Sequence, residues 1–258
     1  MGDGDGGRTL LTAFVIVVGI LVLGADPVSA QAVPPGRLAL HANFGYQFGS
    51  EELRQRIELR VYGEDARFLA THDTAGGLAI DLGGFIDVWE RLSVGASYAQ
   101  TQGSDTTVVT GTVPHPILSS SDRTIAAETL DFTREERSVH IHAAWLIDLP
   151  IDKLDMRVMG GPSYFNLTQG VVTGVVVSEA GGPPFQSVNV DRIATGEVIK
   201  NAWGWHAGVN VSYMFMSTVG VGGFVRIARG TVSLPTGDTK ISVTVGGLQF
   251  GGGARFRF

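Results

Sequence analysis

The sequence has no cysteine, few charges and, beyond residue 25, no apolar run long enough to cross a bilayer as a helix. The missing thiols exclude a disulfide framework, a cysteine zinc site and a lipoprotein anchor, and leave the redox compartment open. Charged residues make up 17% of the chain and the net charge is -6. No basic footprint for nucleic acid exists, so no nucleic-acid partner is expected. Glycine is abundant instead, at 36 of 258 residues.

The one long apolar run lies at the N-terminus. Residues 10–25 read LLTAFVIVVGILVLGA, with Arg8 before them and Pro27 and Val28-Ser29-Ala30 after. Although Asp3 and Asp5 weaken the basic start, this is the order of a signal peptide, and the run is short for a span. Residues 1–30 are therefore expected to be removed by a cut after Ala30, leaving 31–258 as one mature domain. A membrane location for that domain requires a closed barrel, because no other structure without spanning helices satisfies every backbone group in lipid.

From Gly36 onward the chain alternates with period two, in segments of about ten residues. Leu38, Leu40, Ala42, Phe44, Tyr46 and Phe48 share one face, with His41, Asn43 and Gln47 on the other. Seven further segments repeat the grammar, running through Leu78–Val88, Leu92–Tyr98, Val139–Ile147, Met156–Tyr164, Trp203–Phe215, Val219–Ile227 and Leu248–Phe258. Every charge in these segments falls on one face and none on the apolar face. A soluble sandwich also alternates. Here, however, Tyr and Trp gather at segment ends, and the polar face carries glycine rather than Lys and Glu. A Lys or Arg facing lipid at mid-depth costs roughly 2–4 kcal/mol, so its exclusion marks the lipid side.

Connections alternate as well. Long links (49–75, 103–137, 166–201, 229–242) are separated by tight ones around Glu90-Arg91, 149–153 and 215–218. Long outer loops and short periplasmic turns put both ends on the periplasmic side and require an even strand number, here eight. Within the links, Ile57, Leu59 and Val61 before Gly63-Glu64-Asp65, and the flanks of Pro235-Thr236-Gly237-Asp238, read as hairpins that continue the barrel strands. The third link, with the run 171–177 and Gly181-Gly182-Pro183-Pro184, leaves open an extra strand pair and a ten-stranded barrel.

The signal peptide, the strand grammar and the ending Ala254-Arg255-Phe256-Arg257-Phe258 resemble the small outer-membrane β-barrels of the OmpA-, OmpX- and OmpW-like class, over almost all of 36–258. The resemblance implies an all-β, closed antiparallel transmembrane up-and-down barrel with extended extracellular hairpins. It also implies the outer membrane of a Gram-negative-type bacterium, outer-membrane lipid as a partner, and recognition of Phe256 and Phe258 by the barrel assembly machinery.

An eight-stranded barrel is just wide enough to be filled by side chains. The inward charges Asp81, Asp87, Asp155, Arg157, Arg226, Arg255 and Arg257 are expected to pair with one another, since buried charges need partners. His41, His140, His142 and His206 also point inward, but no donor set completes a metal shell, so neither metal nor cofactor is expected. Ser97, Ser163 and Ser212 share that face without any local nucleophile signature, and no enzymatic activity is expected. The expected function is structural or surface-interacting, with a lumen plugged by polar and charged side chains. The alternative is a passive channel for small solutes, apolar ones included. The long loops, with Glu51, Glu52, Arg54, Arg56 and Pro114-His115-Pro116, are the candidate contact for an extracellular ligand.

Overall fold

A computed structural model describes residues 37–49, 53–151, 153–236 and 239–258, apart from the side chains of 75 and 234–241. The leader 10–25 and the cut after Ala30 lie outside the described residues.

Among the described residues ten strands follow one another: β1 (Leu38–Gln47), β2 (Leu53–Val61), β3 (Glu64–Asp87), β4 (Leu92–Pro114), β5 (Asp122–Thr124), β6 (Glu128–Ile147), β7 (Leu154–Glu179), β8 (Val188–Met214), β9 (Val219–Thr236) and β10 (Thr239–Arg257). Eight of them form a ring of antiparallel neighbours in the order β3-β1-β10-β9-β8-β7-β6-β4, closed by β3 on β4. β1 and β2 both pair with β3 and together make one wall position, while β5 is a three-residue addition to the tip of β4. The barrel is therefore eight-stranded. The third long link supplies no extra pair; it lengthens β7 and β8, which stay paired as far as Glu179↔Val188.

The other links are likewise strands more than loops. The β2–β3 turn is two residues, Tyr62 and Gly63, with φ of 53° and 83°. Positive φ at both central positions is the hairpin turn whose twist matches its strands, so Glu64 and Asp65, read from the sequence as turn residues, already lie in β3.

Alternation continues up the strands, but the meaning of the two faces reverses. Low in the barrel the inward residues are polar (His41, Asn43, Asp81, His140, Arg226) and the outward ones apolar. Higher up, water surrounds the wall and apolar side chains turn in. Ile57, Phe68, Ala70, Val109, Val113, Val172 and Val175 form one buried cluster, and Leu53, Phe165, Leu167, Val232, Val243 and Val245 another. In β3 a register shift between Thr74 and Gly77 makes the change, placing Phe68 and Ala70 inward above it and Ala79 and Asp81 inward below. One extra residue is enough, because the side-chain period is two.

Candidate functional site: lumen and outer hairpins

Arg226 is the centre of the lumen. It rises from β9, is 1% exposed, and donates to three other walls: Asp81 Oδ2 on β3 at 2.9 Å, Ser97 Oγ on β4 at 3.1 Å and Gln249 Oε1 on β10 at 2.7 Å. In the ring β4 stands opposite β9, so this guanidinium spans the bore. Its carbon also lies 5.1 Å from the centre of the Phe224 ring. Asp81 accepts in addition from Asn43 at 2.9 Å and lies 3.2 Å from His41 Nε2. A buried carboxylate with one cation and further donors is satisfied; without the cation it is not.

The remaining predicted charges divide into smaller groups rather than one network. Arg157 lies 3.2 Å from Asp87, which also accepts from Ser93 at 2.5 Å, and Arg257 pairs with Asp155. Arg255 bonds neutral side chains, Asn43 at 2.5 Å and Ser212 at 3.2 Å, and touches Asp81 only through Asn43. The inward histidines adjoin one another. Ser163 Oγ lies 2.8 Å from His140 Nδ1 and 2.9 Å from His206 Nδ1, while both ring nitrogens of His142 are buried without a hydrogen-bond partner among the described residues. No group of three or more ligating side chains could hold a metal ion among the described residues.

Polar residues absent from the sequence-based site continue the column upward. Gln249 donates to Gln47 at 2.5 Å, and Gln47 donates to the carbonyl of Gly246 at 3.0 Å. The amide of Gly246, held at φ 91°, donates to Glu136 at 2.9 Å, and Glu136 lies 3.4 Å from Arg134. Gln169 bridges Arg134 to Asp105. Gln47 and Gln249 could have been found from the inward parity of their segments. Arg134, Glu136 and Asp105 could not, because their stretch read as a loop. Burial raises the Asp105 pKa and lowers that of His72 to about 4.

Above this column Gln55 of β2 reaches across to β7. It donates to the carbonyl of Val172 at 2.6 Å and accepts from its amide at 3.2 Å, as another strand would. At the tips, Arg123 of β5 forks onto Glu179 of β7 at 2.5 and 2.9 Å and also binds the carbonyls of Phe185 and Pro114. Tyr62 donates to the same Glu179 at 2.9 Å. The Arg123 bond holds the Glu179 carboxyl below the usual carboxylate range, and the bond to Glu179 pushes the Tyr62 phenol up.

The outer surface decides what solvent the wall meets. Phe44, Leu78, Ile80, Ile141, Trp145, Val158, Trp203, Trp205, Val225, Phe250 and Phe258 are exposed around the ring, Trp203 at 71%. No charged side chain shares their face between Leu38–Phe48, Leu248–Phe258 and the matching stretches. At about 3.3 Å per residue and a tilt of about 40–45°, eleven such residues cover a band about 25 Å tall. Aromatics edge it: Tyr46, Phe48 and Phe250 in contact on one side, and Tyr164 against Trp203 at 5.2 Å. The chain is a transmembrane β-barrel. No family model and no curated protein matches the chain. Among solved structures the barrel is similar to the outer membrane protein OprG from Pseudomonas aeruginosa, at 10% identity over 87% of this chain and 96% of that one, with a TM-score of 0.46. Similar too are the outer membrane protease OmpT from Escherichia coli (12% identity, 89% and 100% covered, TM-score 0.41) and the attachment invasion locus protein Ail of Yersinia pestis (11%, 86% and 99%, TM-score 0.34).

Proposed function

We propose that the mature barrel, starting at Gln31, lies in the outer membrane of a Gram-negative-type bacterium with both ends in the periplasm. There it serves as a non-conducting, non-catalytic scaffold that presents its hairpins at the cell surface. The observation that carries the closed-lumen reading is the span of Arg226 from β9 to Ser97 on the opposite wall, with Asp81 and Gln249 engaged on the way. Above it, Gln55 and the apolar clusters occupy the mouth. Surface presentation is supported by the hairpins themselves. Among the described residues β8 has two strand neighbours only up to Gly204, and from there to Val188 it pairs with β7 alone. Such an edge offers a row of amides and carbonyls to an extended polypeptide. Planar-bilayer recording of the refolded protein tests the lumen: the expected trace is a flat baseline. Discrete conductance steps would overturn the scaffold reading in favour of a passive channel.

A further inference from the structure

The loop 115–121, between β4 and β5, is folded around one imidazole. The His115 amide donates to the Ser121 carbonyl at 2.8 Å, the Ser120 amide donates to Glu64, and the ring holds the apolar part of the loop. Its Nε2 faces the Pro184 carbonyl at 2.9 Å, while Nδ1 receives the amides of Ile117 at 3.2 Å and Leu118 at 3.1 Å. A carbonyl at one nitrogen and two N–H groups at the other allow one arrangement: a neutral ring with its proton on Nε2. Ile117 and Leu118 extend into solvent, at 67% and 58% exposed, so their amides hold the loop and their side chains do not.

We propose that His115 is an acid-sensitive clasp that joins the β4–β5 loop to the β7–β8 tip and releases the Ile117–Leu118 segment when the ring takes up its second proton. An imidazolium has no acceptor. Protonating Nδ1 removes both amide partners at once and points a new N–H at two others. Losing two hydrogen bonds at once shifts the loop about thirtyfold toward its released form.

The charged groups around the ring do not replace what is lost. Glu179, on β7, favours a cation nearby, but its oxygens are engaged by Arg123 of β5 and Tyr62 of the β2–β3 turn. Glu64 of β3 accepts from the Ser120 amide at 3.3 Å, and Phe185 meets the imidazole edge-on with centroids 6.5 Å apart. The clasp is thus present while the ring is neutral and lost once Nδ1 carries a proton, which makes an apolar pair of side chains mobile at the tip of the barrel. This deepens the surface-presentation reading without needing a partner to be bound.

The chain has no cysteine, so Leu118→Cys provides a unique site for a nitroxide label. Spin-label spectra of the refolded barrel are compared at pH about 7.5 and in acid at about 5.5. With His115 present, the mobile component is expected to rise reversibly in acid. In the His115→Gln background the label is expected to keep one mobility across the range, whatever that mobility is. The same mobility at both pH values with His115 present, or an equal acid response in His115→Gln, would overturn the clasp. So would an electrophoretic mobility of the folded barrel that changes together with the label, since the change would then not be local to the loop.

Discussion

Replacing Arg226 with Met keeps an apolar stem of similar length and removes the guanidinium alone. Three bonds disappear, and Asp81, 2% exposed, is left with Asn43 and His41 as its partners. Removing one member of a buried ion pair typically costs about 3–5 kcal/mol, because the remaining charge keeps its desolvation penalty and loses its compensation. The Ser97 and Gln249 bonds lie within that figure, since the three act through one group and do not add independently. Asp81→Asn in the same background removes the stranded charge at nearly unchanged shape. The double variant is therefore expected to regain about 2 kcal/mol or more relative to Arg226→Met. Urea unfolding in phosphatidylcholine vesicles, followed by the electrophoretic shift between folded and unfolded barrel, measures all three proteins. A loss below about 1 kcal/mol for Arg226→Met, or no recovery on adding Asp81→Asn, would show that these side chains meet water and that the lumen is not closed at this level.

Three further outcomes follow from neighbouring features. Arg255 bonds Asn43 and Ser212, so Arg255→Ala should destabilise by about 1–3 kcal/mol in the same assay, below Arg226→Met and above the exposed Arg54→Ala. The main chain of Phe258 closes the seam with Leu38 in both directions, while its ring is exposed. Phe258→Ala should accordingly lower the amount of barrel assembled in cells yet leave the unfolding midpoint of refolded protein within about 0.5 kcal/mol; immunoblots of outer-membrane fractions and the urea assay separate the two. His72 is buried, bonded to Thr107, and lowered to about 4 from the 6.5 of an unfolded chain. Between those values the unfolded state binds the extra proton and the folded state does not, so stability of the outer tier falls as pH drops from about 6.5 toward 4. Amide exchange at Phe68 and Ala70 reads this, and a His72→Gln variant should lose the pH dependence.

Much of the barrel was legible in the chain because a period of two has only one physical consequence, which is two faces. Leu38 through Phe48 and Leu248 through Phe258 assign their own sides without knowing their partners, and in the structure His41, Asn43, Asp81, His140, Arg226 and Arg255 lie inside where parity puts them. The alternating links required an even strand number and the periodic segments gave eight, while the ten-stranded alternative was removed only by the pairing of β7 with β8. Three things were decided only by the folded ring. One was which charges meet: Asp81 and Arg226 are 145 positions apart, and register alone brings them to 2.9 Å while leaving Arg255 with neutral partners. Another was the reversal of the faces above the lipid band, where the same alternation buries Phe68, Phe165 and Leu167 inward. There the surrounding solvent changes from hydrocarbon to water, and a bulge at Thr74–Gly77 shifts β3 to suit. The last was the hairpins' length. Residues such as Glu136, Asp105 and Gln55 looked like loop polarity because a strand that crosses from lipid to water loses its sequence signature at the boundary, and only pairing with a neighbouring strand carries it through.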